Sequence, residues 1–320
     1  DRTDFAAQLR LAQLLERERD ELAALTAWVA ALQLADRHAE SIPAVAPELA
    51  AGRAYVAAIQ ERLASASARA LAPLAASFDE TEARRTGAFV DLVLGRRQLF
   101  ENRCDGVRYP FLPADEFFDR RHFPWFETLE AETAAIRDEL AALLAAGDDA
   151  LRPYIRLEEG LPDNLWSALD GSLDWGACFL YEYGEPNPEV LARCPRTTAA
   201  IERLPLARVP GRGPNVFFSL LSPGRRIPPH TGVTNTRAIV HLALDVPPGC
   251  GFRVGGDTRQ WVEGRAFAFD DTIEHEAWNE GGRRRAVLIL DCWNPHLSER
   301  EREAVAAYFA ASDAALRQPG

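Results

Sequence analysis

Methionine is missing altogether from this chain of 320 residues, and cysteine, at five, is scarce and scattered. Cys104, Cys178, Cys194, Cys250 and Cys292 are odd in number and never closer than sixteen residues. That pattern rules against a zinc knuckle or a disulfide framework and points to a reducing, cytoplasmic setting. The want of methionine in so leucine-rich a chain suits a sequence that begins inside a longer one. No run of eighteen uncharged apolar residues occurs, and the opening DRTDFAAQLR lacks the apolar core of a signal peptide. Neither a membrane span nor export is therefore expected. Positive charge is short too: 36 basic against 48 acidic residues leave a net charge of -12, which argues against nucleic acid and anionic membrane surfaces as partners.

What is present is ordinary for a globular protein, with 47% apolar and 26% charged residues and length enough for one or two domains. The composition changes once. Residues 1–104 are rich in Ala, Leu, Arg and Glu, with Phe5, Leu9, Leu11, Leu14 and Leu15 at helical spacing and further helical stretches at 21–34, 47–71 and 80–94, the middle one closed by Pro73. Helical hairpins are expected there. An array resembling tetratricopeptide repeats is the alternative, although neither a clean repeat period nor that repeat's tryptophan and glycine signature is found. The second domain, 105–320, starts with the proline- and aromatic-rich VRYPFLPADEFFDRRHFPWF and an amphipathic helix at 127–146. Strand candidates follow at 177–183, 216–221, 238–244, 251–254, 266–269 and 286–290, separated by turns such as SPGRR, VPPGCG and VGGD. Strands joined by turn-length connections favour an antiparallel double sheet, a jelly roll or cupin-like barrel over about 157–297, within an α+β class. A helix at 298–316 with Ser298 as its N-cap closes the chain.

The chemistry lies on the β region. His230 follows two prolines and precedes Thr231 and Gly232; His275 follows FDDTIE on an expected turn; Arg285 begins the apolar run RAVLIL. Each histidine alone is more often a bland loop residue than a ligand. Together, two imidazoles suited to Fe(II) and a guanidinium suited to a bidentate grip on a carboxylate describe a mononuclear iron site beside a dicarboxylate clamp. A carboxylate ligand two residues after the first histidine would complete the usual set, but Gly232 stands there. Strand alternation puts Arg237, Ile239 and His241 on one face and Ala238, Val240, Leu242 and Leu244 on the other, the second set being core. Arg285 shares parity with Val287, Ile289 and Asp291, and an ion pair with Asp291 or a solvated strand end is its plainer reading.

The segments SLLSPGRRIPPHTGVTNTRAIVHLAL, CGFRVGGDTRQWVEGRAFAFDDTIEHEAWN and RAVLILDCWNP resemble, in order and spacing, the aspartyl/asparaginyl β-hydroxylase family of 2-oxoglutarate- and Fe(II)-dependent oxygenases. The close resemblance covers about 215–296, with a weaker extension back to about 108. It implies a double-stranded β-helix in which His230 and His275 bind iron. Arg285 then clamps the distal carboxylate of the cosubstrate 2-oxoglutarate, with Ser219 and His241 assisting. In this family two protein ligands suffice, so Gly232 fits the pattern. Asp271 becomes a catalytic carboxylate orienting a metal-bound water, where its plainer reading is a turn cap. The family's basic residue two positions before the second-strand histidine is Ile239 here, and Arg237, on the same face, is the candidate to replace it. The implied reaction uses O2 to hydroxylate an unactivated C–H bond, most readily the β-carbon of Asp or Asn in a protein, peptide or related small acid. Alternatives are a lipid acyl-chain hydroxylase, which calls for a membrane anchor not seen in this sequence, and a cupin-like metal-binding scaffold without catalysis. Arg225, Arg226 and Arg253 flank the site, with surface ion pairing their expected state.

Overall fold

The computed structural model describes residues 4–37, 45–147, 150–160 and 162–317. The chain divides into two compact units, Asp1–Gln98 and Leu99–Gly320. The boundary thus falls before 104. Asn102 donates to Asp270 and Thr272 (2.7 and 3.0 Å), and the Arg103 amide to the Thr272 carbonyl (2.7 Å), which ties this stretch to the second unit.

In the first unit lie helices α1 (Phe5–Arg17), α2 (Glu21–Arg37), α3 (Ala46–Ala75) and α4 (Glu80–Val93). Trp28 is the buried anchor, its indole donating to Glu16 at 2.9 Å. Gly52 makes room for it, since a Cβ there would lie 2.3 Å from the indole ring. Asp79 and Glu82 form a capping box that starts α4. Pro73 does not close α3, which runs on to Ala75. So near a helix end, proline strands only a carbonyl that water can reach.

The second unit contains helices α5 (Phe126–Ala131), α6 (Thr133–Ala145), α7 (Pro188–Arg193), α8 (Pro195–Ile201) and α9 (Glu299–Arg317). The single helix expected at 127–146 is divided at Glu132. Ser298 does cap α9, in a reciprocal pair with Glu301. The strands are β1 (Arg152–Pro153), β2 (Trp175–Glu182), β3 (Glu185–Pro186), β4 (Val216–Leu221), β5 (Arg225–His230), β6 (Arg237–Asp245), β7 (Cys250–Val254), β8 (Asp257–Arg259), β9 (Ala266–Phe269), β10 (His275–Asn279) and β11 (Arg285–Trp293). One sheet has the order β1-β2-β4-β11-β6-β9 with β3 beside β2, the other β5-β10-β7-β8. From β4 onward the chain passes back and forth between the two sheets, and every ladder is antiparallel. That winding is a double-stranded β-helix, an α+β unit of cupin-like jelly-roll type.

The larger sheet packs on both faces. Outward, Ala238, Val240, Leu242 and Leu244 of β6 and Leu288 and Leu290 of β11 meet Ile136, Leu140 and Leu143, spaced one helical turn apart on α6. Inward, Phe217, Ile239, Val287 and Ile289 face Ile227, Phe252, Val254 and Ala277 of the smaller sheet. Five strands are absent from the sequence expectation: the two- and three-residue β1, β3 and β8, then β5, whose Pro228 and Pro229 disguise it, and β10, read as a turn at His275. β5 tolerates its prolines because it is an edge strand, where no neighbour needs the missing amides. Among the described residues, no helix is long and apolar enough to cross a membrane.

Candidate active site

Two of the unforeseen strands, β5 and β10, carry the histidines. β5 and β10 pair so that His230 lies directly opposite His275, with ring centroids 4.0 Å apart. Each ring is held the same way: Nδ1 bonds the carbonyl two residues back, His230 to Pro228 at 2.8 Å and His275 to Ile273 at 3.0 Å. A carbonyl only accepts, so Nδ1 carries the proton and Nε2 keeps its lone pair. Burial lowers the pKa of both, His275 well below the ordinary imidazole value, and both are neutral near pH 7.

Gly232 is explained by its neighbour. A Cβ at 232 would sit 2.0 Å from Oδ2 of Asp271, whose carboxylate fills the space a longer side chain would need. The Gly232 amide also donates to the Asp271 carbonyl at 2.6 Å. Asp271 does not act as a turn cap, because Asp270 takes that work by accepting from the Thr272 amide and hydroxyl. The Asp271 Oδ1 is buried without a hydrogen-bond partner, and burial pushes this carboxyl up to about 7.

The histidines and Asp271 line one cavity of about 250 Å³ between the sheets, and Ser219, Arg237, Ile239, His241 and Arg285 line it too. Arg285 is 1% exposed, and Nε and both terminal nitrogens lack any hydrogen-bond partner. Its guanidinium carbon lies 5.0 Å from the Trp261 ring centroid, and burial lowers its pKa to about 10. The expected alternative, an ion pair with Asp291, is not formed. Asp291 instead accepts from Arg237 at 2.7 Å and from the Asn215 amide and side chain at 2.9 and 3.1 Å. The charge of Arg237, expected to face a cosubstrate carboxylate, is therefore already matched, although its Nε is buried and unpartnered. Ser219 accepts from the Trp175 indole at 3.1 Å, and Nδ1 of His241 accepts from the Trp261 indole at 3.4 Å, so each keeps a hydrogen to donate. Arg225, Arg226 and Arg253 are paired with Asp174, Glu276 and Glu274/Glu276.

An aromatic wall on the same cavity escaped the sequence reading. Tyr154 stacks on Trp175 with centroids 4.0 Å apart, and Trp166 makes a T-shaped contact with His230 at a centroid distance of 4.9 Å. Alternation could have placed Trp175 and Phe217 beside Ser219, since 175, 177, 217 and 219 share a face. Tyr154 and Trp166 lie on irregular chain, where no periodicity signals a face.

The profile of the family described as aspartyl/asparaginyl beta-hydroxylase matches residues 130–295. The chain is 32% identical over 182 residues to human aspartyl/asparaginyl beta-hydroxylase, covering 57% of this chain and 22% of that protein. It is 34% identical over 211 residues to rat aspartate beta-hydroxylase domain-containing protein 2 (63% of this chain, 57% of that one). To the ornithine lipid ester-linked acyl 2-hydroxylase of Rhizobium tropici it is 30% identical over 192 residues (59% and 64%). It thus spans less than two thirds of these relatives' lengths. Among solved structures, an RmlC-like cupin family protein with a double-stranded β-helix fold from Methanocaldococcus jannaschii aligns over 26% of this chain and 72% of its own, at 10% identity and a TM-score of 0.21; so slight a likeness carries no argument. The profile match spans more than half of the chain, including both histidines, Asp271 and Arg285, and on that ground the chain belongs to the aspartyl/asparaginyl β-hydroxylase family.

Proposed function

We propose that this chain is a hydroxylase that works with Fe(II), 2-oxoglutarate and O2. The observation that carries the reading is Arg285, a fully buried guanidinium without an anion, facing the cavity that also holds the paired histidines. An uncompensated buried charge costs several kcal/mol, which a bound carboxylate would recover. Ser219 and His241 each bring a donor to the same cavity, so the set suits one end of a dicarboxylate.

The donor chemistry suits iron as well. His230 and His275 offer neutral imidazoles already fixed in the tautomer that exposes Nε2. Among the described residues no group of three or more His, Cys, Asp or Glu is arranged to hold a metal, so the two histidines would be the protein's ligands. Asp271, with a free buried oxygen, would accept a hydrogen bond from a water completing the shell. When bound, iron and 2-oxoglutarate supply the oxidising power that activates O2 against a C–H bond. The protein's share is to ligate, to orient the dicarboxylate through Arg285, and to keep water out with the apolar walls formed by Ile227, Ile239, Phe252 and Ile289.

Anaerobic titration of the protein with Fe(II) and 2-oxoglutarate tests this reading. A visible charge-transfer band should appear and be lost in His275→Ala, together with all iron-dependent succinate formation. A His275→Ala protein that still forms succinate at the parent rate would sink it.

A further inference from the structure

We infer that the substrate segment oxidised in this cavity is an uncharged alkyl or acyl chain, rather than an acidic side chain. The inference rests on the iron and 2-oxoglutarate reading, because it counts what remains once the cosubstrate is in place. The chain contains no lysine, and the histidines of the cavity are neutral, so the permanently cationic side chains are all arginines. Among the described residues lining the cavity there are two, Arg237 and Arg285. Arg285 is committed to the dicarboxylate, and Arg237 is neutralised by Asp291 at 2.7 Å. The Arg237–Asp291 pair is neutral and the remaining lining acid, Asp271, offers no positive charge, so a substrate carboxylate would find no free cation. Giving up hydration on entering this cavity without meeting a counter-charge costs a carboxylate free energy, which disfavours an acidic side chain.

The remaining surface is apolar. Phe217 and Ile239, neighbours of Ser219 and His241 on the inward face, offer hydrocarbon to whatever lies over the histidines. Tyr154, Trp175 and Phe217 continue as a stacked series, with Tyr154 to Phe217 at 5.3 Å, and Phe179 extends it at 4.9 Å from Phe217. Tyr154 is 38% exposed, so the series runs from the buried cavity to the surface. An extended methylene chain lying along this wall removes apolar area from water on both sides. The spare Nε–H of Arg237 is buried and unpartnered, and a neutral carbonyl can accept it without adding charge.

The test is calorimetric binding to the anaerobic protein loaded with Fe(II) and 2-oxoglutarate, using octanamide, an aspartyl peptide and its asparaginyl counterpart. Octanamide should bind at least tenfold more tightly than either peptide, and under air it should be recovered with one added oxygen. Phe217→Lys and Ile239→Arg each place a cation on the wall; each should weaken octanamide at least tenfold and strengthen the aspartyl peptide. Circular dichroism identifies a variant that fails to fold, and the other then decides. Either peptide binding as tightly as octanamide would overturn the inference, and so would octanamide affinity unmoved in the folded variants. A protein that ranks the probes as stated yet makes no succinate from 2-oxoglutarate would defeat the cosubstrate reading alone.

Discussion

The two faces of the larger sheet are built from the same strands and do different work. On the outer face, β6 and β11 present Ala238, Val240, Leu242, Leu244, Leu288 and Leu290 to the helices, and the contact is hydrocarbon throughout. On the inner face the same strands present Arg237, His241, Arg285 and Asp291 to a cavity, and one of those charges has no partner. A strand's period of two makes this division possible without interference. Stability is concentrated where nothing polar is left over, and ligand affinity where something is.

The comparison is open to attack from either side. Arg285→Ala should weaken 2-oxoglutarate binding by roughly 2–5 kcal/mol, the usual loss when one partner of a buried charge pair is removed. Unchanged cosubstrate affinity would break the assignment. Arg285→Leu sharpens the point, since the ligand-free protein should melt no lower than the parent once an unpaired buried charge is gone. On the outer face, Leu288→Ala should cost about 2–5 kcal/mol in denaturant unfolding while leaving cosubstrate affinity within twofold, a split that coupled faces would not show.

Gly232→Ala tests the crowding at Asp271. Its methyl group must displace a buried carboxylate, at a cost of about 1–3 kcal/mol, and iron affinity should fall with it. An alanine variant with the parent's melting temperature and iron affinity would show that Asp271 has room to move. An effect of similar size concerns pH. Burial pushes Asp270 up from 3.8 to about 6, so the folded state holds its proton more tightly than the unfolded state. Its favourable contribution is complete below pH 3.8 and is lost as pH rises through about 6, to the extent of about 1–3 kcal/mol. Unfolding midpoints of the metal-free protein between pH 4 and 7 should therefore fall less in Asp270→Asn than in the parent, and parallel profiles would contradict this.

Much of the barrel was legible because its strands obey local rules. The 216–221 and 266–269 segments coincide with β4 and β9, and the parity of β6 and β11 correctly separated core from cavity. β5 and β10 were not legible, since an edge strand tolerates prolines that would forbid a central one and His275 stands at the first residue of a short strand. The helix ends at Ala75 and Glu132 likewise depend on packing and solvation more than on propensity.

The sequence by itself determined the winding of hydrophobic strands, the residue types that chemistry requires, and the resemblance of their order and spacing to one family. Only the tertiary structure decided how those residues are spent. It gave Asp291 to Arg237 and left Arg285 without an anion; it filled the space beside Gly232 with Asp271 and gathered Tyr154 and Trp166 onto the histidines' cavity. The physical reason is that pairing and burial are properties of space. A guanidinium reads the same in any strand, and its free energy depends on which carboxylate arrives within three ångströms and how much water remains.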